Sequence, residues 1–133
     1  MDKILQIAIC EDFAADAEHL LYCIKQSSIE TNCRLFSKGE DFLASFTAGR
    51  FDVIFMDIYM NGITGVEVVR RIRETDENTV IAFTTTSLDH TLDSYRLGVL
   101  KYIEKPATQK DTDETLEMAL LKHKSAAYIT LLI

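Results

Sequence analysis

Phe51-Asp52-Val53-Ile54-Phe55-Met56-Asp57 decides the fold of this chain. The run has strand length, is rich in β-branched and aromatic residues, and is apolar on both sides of the alternation from Val53 to Met56. Such a run suits a strand covered on both faces, the usual condition of a parallel sheet. It stops at a carboxylate. Two further runs share its form: Ile4 to Cys10 (ILQIAIC) ends at Glu11-Asp12, and Thr79 to Phe83 runs into Thr84-Thr85-Thr86-Ser87. Weaker strands read over Thr31 to Phe36 and over Leu100 to Glu104, the latter closed by Lys105-Pro106.

Helix-length stretches lie between these runs. Residues 13–26 place Phe13, Ala17, Leu20, Leu21 and Ile24 at helical spacing, 39–47 carry Phe42, Leu43 and Phe46, and 66–74 carry Val66, Val69 and Ile72. Two more helices are expected, over 88–97 before Gly98 and over about 111–124. Five strand–helix units in succession specify an α/β fold, a five-stranded parallel sheet with helices on both faces. Right-handed crossovers leave few topologies, and the flavodoxin-like order 2-1-3-4-5 is the natural one. Residues 125–133 (SAAYITLLI) look strand-like and belong to none of the five units.

Composition narrows the function. The chain has 133 residues, the size of one domain, and a formal charge of −7. An acidic surface argues against direct binding of nucleic acid or anionic lipid. No uncharged stretch is long enough to span a bilayer, and the start lacks a signal-peptide layout. Three cysteines without metal spacing fit reduced thiols of a cytoplasmic protein.

Ligands of open α/β sheets bind outside the carboxyl ends of the strands. Glu11 and Asp12 follow the first strand, Asp57 ends the third, Thr85 the fourth and Lys105 the fifth. Three neighbouring carboxylates repel unless a cation joins them, and carboxylate oxygens with room for water suit Mg²⁺. Lysine supplies positive charge for a phosphoryl oxygen and threonine a hydroxyl donor. Asp57 is then a candidate nucleophile, because aspartate can carry a phosphoryl group as an acyl phosphate. Thr84 or Thr86 takes the hydroxyl role if the strand register slips by one.

Taken together, Ile7-Ala8-Ile9-Cys10-Glu11-Asp12, Val53 to Met60 with Gly65, Thr84-Thr85 and Tyr102-Ile103-Glu104-Lys105-Pro106 resemble the receiver domain of bacterial two-component response regulators. The resemblance spans about residues 3–124, and Tyr95 to Pro106 look most like receivers of LytTR-type DNA-binding regulators. It implies that Asp57 is the phosphoacceptor, with Mg²⁺ held by Glu11, Asp12, Asp57 and the main-chain carbonyl of Tyr59. It further implies that Thr85 and Tyr102 form a switch pair, that Lys105 contacts phosphate, and that the Lys105–Pro106 bond is cis. Tyr59 and Ser87 would border the path of a hydrolytic water and slow dephosphorylation. Asn61-Gly62 stands where the family usually has proline after Met60, which predicts a looser loop over the metal site.

The function so implied is a signalling switch, not an enzyme in the ordinary sense. A sensor histidine kinase is the expected donor and a phosphorylation-dependent homodimer through the fourth helix, fifth strand and fifth helix the expected response. Residues 1–124 are the receiver. Residues 125–133 are expected to begin an output domain truncated in this chain, and only that domain would meet DNA. Competing classes fit less well. Aspartate-nucleophile phosphatases usually carry a second aspartate where this chain has Tyr59, and the acidic loop Glu11-Asp12-Phe13 would repel a flavin phosphate. A phosphate-independent interaction domain of the same fold would not need the acidic set, threonine and lysine.

Overall fold

Strand alternation divides the core into two layers. The computed structural model describes residues 3–87, 89 and 91–132. Its β1 (Leu5–Cys10), β3 (Val53–Asp57) and β4 (Val80–Thr85) are buried almost throughout. Side chains of alternate residues leave opposite faces of a strand. Ala8, Cys10, Ile54, Met56, Ile81 and Phe83 therefore enter one layer, and Ile7, Ile9, Val53, Phe55, Val80 and Ala82 the other.

Two helices close the first layer: α2 (Gly39–Ser45), with Phe42, and α3 (Gly65–Arg73), with Val66, Val69 and Ile72. The second layer lies under α1 (Ala14–Gln26), with Leu20 and Ile24, and α5 (Gln109–Leu132), with Leu116 and Ala119. Fully burying one such side chain stabilises the fold by roughly 1.5–3 kcal/mol. β2 (Thr31–Phe36) and β5 (Lys101–Glu104) form the edges, and α4 (Thr91–Arg96) precedes β5. All pairings are parallel, in the order β2-β1-β3-β4-β5. The fold is the expected one.

Register then brings the chemistry together. Asp57 pairs with Thr84 and Thr85 with Glu104, so the strands end along one edge of the sheet. Residues 10–12, 57–59, 84–87 and 104–106 all leave the sheet there.

One expectation fails. Residues 125–132 are not a strand but the last two turns of α5, which runs 24 residues to Leu132. Nothing in Ser125-Ala126-Ala127 breaks a helix, alanine is the best helix former, and extending a helix is far easier than starting one. Ile129 and Thr130, which suggested a strand, are too few to stop it. The helix also starts two residues earlier than expected. The start of the fourth helix expected at Leu88 lies outside the described residues. Among these residues no helix is long and apolar enough to cross a membrane.

Candidate functional site

Asp57 is buried where the strands end, 3 % exposed. Its Oδ1 accepts from the Tyr59 amide at 3.2 Å and lies 3.4 Å from Lys105 Nζ. Glu11, equally buried, reaches the same ammonium at 2.5 Å through Oε1. Its loop is fixed by the Glu11 amide on the Phe36 carbonyl (2.9 Å) and by Oε2 accepting from the Phe13 amide (3.2 Å). Asp12 is exposed at the rim. One ligand atom each from Glu11, Asp12 and Asp57 lies within 4.8 Å of the others.

This arrangement holds more acid than it can neutralise. Burial, then the hydrogen bond and charge of Glu11, push the Asp57 carboxyl up to about 7 despite Lys105. Burial works against the Lys105 ammonium, but Glu11, Asp57 and Asp16 together raise its affinity for the proton. Desolvated carboxylates at this spacing gain most from a divalent cation bound by oxygens. The residues present fit one. The donor set, two buried carboxylates and one at the rim, is all oxygen, which suits a hard divalent cation.

The loop after β3 makes its own contacts across the site. With asparagine at 61, its amide donates to Asp12 Oδ2 at 3.0 Å, a bond proline could not make. The Ile63 amide reaches Glu40 at 3.3 Å and the Gly65 amide the Ile58 carbonyl at 2.9 Å. The loop is thus tied at three points. Gly62 has φ +85°, and a β-carbon at Gly65 would sit 2.1 Å from the Asp57 carbonyl oxygen, so glycine is required at both.

On the other face, Thr85 Oγ1 accepts from the Ser87 amide at 3.1 Å, and the Tyr102 hydroxyl donates to the Ser87 carbonyl at 2.6 Å. Ser87 thereby links the two residues expected to act as a pair. Thr85 shares the face of Phe83, whose ring lies 6.3 Å from that of Tyr102. Thr84 turns to the opposite face, where it lines a small cleft beside Lys105, and Thr86 is exposed. Tyr59 is 45 % exposed at the mouth. The Lys105–Pro106 peptide is cis.

Two participants escaped the sequence reading. Asp16, in the first turn of α1, contacts Lys105 Nζ at 3.2 Å, and the Asn61 amide contacts Asp12. Only the helical spacing from Asp12 could have hinted at Asp16. At the far end of the sheet, a groove of about 520 Å³ runs past Phe51, Asp76, Thr79 and Lys122. Glu11, Asp12 and Asp57 are the described set able to hold a metal ion.

Comparison with known proteins agrees with this fold. Sensory transduction protein LytT of Oceanobacillus iheyensis is 30 % identical over 108 residues, 80 % of this chain and 44 % of that protein. Transcriptional regulatory protein YpdB of Escherichia coli K12 is 28 % identical over 102 residues, 77 % of this chain and 42 % of its own. The chain thus spans less than half the length of these curated relatives. Among solved structures, the BeF3-activated DrrB receiver domain superposes with a TM-score of 0.76 at 25 % identity, covering 89 % of this chain and 98 % of that one. A CheY-like receiver from Methanospirillum hungatei gives 0.79 at 20 % identity, over 92 % and 99 %. Residues 7–117 match the family described as the response regulator receiver domain, and the chain belongs to that family.

Proposed function

We propose that this receiver accepts a phosphoryl group on Asp57 from a sensor histidine kinase, with Mg²⁺ as the cation, and relays that event to a transcriptional output domain. The observation that carries the reading is the position of Asp57: its Oδ1 lies 3.4 Å from the Lys105 ammonium, beside Glu11 and Asp12. An Asp57 oxygen forms the bond to phosphorus as the bond from phosphorus to the donor imidazole nitrogen breaks, and the imidazole leaves with that electron pair. Lys105 faces the charge of the transferred group. Glu11, Asp12, Asp57 and the main-chain carbonyl of Tyr59 would hold Mg²⁺. Bound there, it supplies positive charge to the phosphoryl oxygens.

Thr85 and Tyr102 are the switch in this reading. The Thr85 hydroxyl turns toward the phosphoryl oxygens, and release of Ser87 lets the Tyr102 ring move inward. The two states must differ in their contacts with the phosphoryl group, and the face of α4, β5 and α5 is where a homodimer would respond. Net charge of −7 supports assigning any DNA contact to an appended domain. Free Cys10, Cys23 and Cys33 suit the cytoplasm. The test is intact-protein mass after incubation with Mg²⁺ and a small acyl-phosphate donor. One added phosphoryl group is expected, absent in Asp57→Asn; an unchanged mass, or a gain retained by the variant, overturns the reading.

A further inference from the structure

Among the described residues Lys105 has three carboxylate neighbours, and two of them belong to the set that can hold a cation. Glu11 and Asp57 lie in that set; Asp16 does not. Its Oδ2 accepts from Lys105 Nζ at 3.2 Å on the side of the ammonium that faces α1. The lysine side chain is 12 % exposed and that of Asp16 33 %, so the pair sits at the wall of the cleft, partly screened.

The contact stands on a fixed support. One turn further along α1, His19 Nε2 donates to the Ala107 carbonyl at 2.7 Å, just beyond Lys105-Pro106. Asp16 and His19 are three apart and share a helix face, so both grip the segment after β5. Gln109 Nε2 donates to the Cys23 carbonyl at 2.7 Å and ties the same helix to the start of α5. About 20 Å³ remains between Asp16, His19, Thr84 and Lys105, which leaves the lysine stem little room to swing.

We propose that Asp16 is a positioning residue for Lys105, holding its ammonium at the edge of the Glu11–Asp57 pair so that it faces the group arriving on Asp57. The inference rests on the reading of Asp57 as phosphoacceptor. An ammonium has three N–H donors. One is engaged on the α1 side by Asp16 at 3.2 Å, while the ammonium also meets Glu11 at 2.5 Å and stays 3.4 Å from Asp57. Without Asp16, the ammonium loses its pull toward α1 and shifts the short distance toward Asp57, where it competes with a cation for the same two carboxylates. Removing Asp16 therefore weakens both metal binding and phosphoryl transfer, and it does so through Lys105.

A double-mutant cycle tests this with Asp16→Ala, Lys105→Met and the combined variant. The readouts are the Mg²⁺ dissociation constant by calorimetry and the phosphorylation rate with a small acyl phosphate. Asp16→Ala is expected to weaken Mg²⁺ binding and slow phosphorylation by roughly three- to tenfold, and to change neither once Lys105 is gone. Asp16→Asn keeps an acceptor oxygen and should recover part of the loss. No change in Asp16→Ala, or the same loss in both backgrounds, overturns the proposal. A wild-type chain that takes no phosphoryl group removes the reading of Asp57, while the Mg²⁺ measurement still decides on Asp16.

Discussion

Asp57 and Asp76 are both buried aspartates, 3 % and 7 % exposed, and their environments push them in opposite directions. Burial raises Asp57, Glu11 raises it further, and its carboxyl stands at about 7. Burial also works against the ionised form of Asp76, but donors overcome it. The Thr79 hydroxyl (2.5 Å) and the amides of Thr79 (2.9 Å), Asn78 (2.9 Å) and Gly49 (3.0 Å) hold its carboxyl down at about 2. Burial alone does not decide what a carboxylate is for. Asp76 has its partners within the chain and fastens the turn before β4 to the loop before β3. Among the described residues Asp57 accepts from the Tyr59 amide and faces Lys105 at 3.4 Å beside a second buried acid, so its charge is less well compensated than that of Asp76.

The sharpest way to break the comparison is to remove Asp76. Asp76→Ala leaves several buried donors without an acceptor and should destabilise the chain by about 3 kcal/mol, read from urea unfolding. A change within experimental error would show that the turn does not depend on this carboxylate.

Asp57→Asn should have the opposite sign. Without a divalent ion it removes a crowded buried charge and is expected to stabilise the chain by about 1–2 kcal/mol. Added Mg²⁺ should then raise the melting temperature of the wild type and barely move that of the variant. Destabilisation by Asp57→Asn in chelator would mean that the cleft is already balanced.

Asp76 also predicts an acid limb. Its folded value, about 2, lies below the ordinary 3.8, so the unfolded chain binds the proton more tightly. The stabilisation it gives, roughly 2 kcal/mol, is complete above about pH 5 and is lost as pH falls toward 2. Asp76→Asn should flatten that part of the stability profile between pH 5 and 2; an unchanged slope would assign the limb to other carboxylates.

The smallest expected effect concerns the mouth of the cleft. On the proposed reading, Tyr59, half-exposed beside Asp57, would narrow the approach of a water in line with the phosphorus–oxygen bond, and Ser87 would offer no base near neutral pH. Tyr59→Asn is expected to speed loss of the phosphoryl group by about two- to fivefold. An unchanged or slower decay would show that Tyr59 does not guard it.

How much of this was legible in the sequence follows the same division. Backbone pairing and strand alternation were legible because Ile7 to Cys10, Val53 to Met56 and Val80 to Phe83 carry the pattern of doubly covered strands. Sheet order and the meeting of Glu11, Asp12, Asp57 and Lys105 at one edge followed from that. The tail was misread because a short β-branched run outside its helical context resembles a strand, whereas Ala126 and Ala127 let α5 continue. Asp16 was missed because its contact with Lys105 joins residues 89 apart. The Asn61 amide was missed because a backbone donor has no signature in side-chain pattern. Asp76 went unremarked, since an Asp-Glu-Asn-Thr turn reads as solvated loop until its four donors are in place.

The account stands most directly on where a phosphoryl group comes to rest. An acyl phosphate on aspartate is reduced by borohydride to homoserine, a change that peptide mass spectrometry can locate. After treatment with Mg²⁺ and a small acyl phosphate, homoserine is expected at position 57 alone, and chelation of Mg²⁺ should abolish it. Homoserine at another carboxylate, its absence from position 57, or equal yield in chelator would contradict the account.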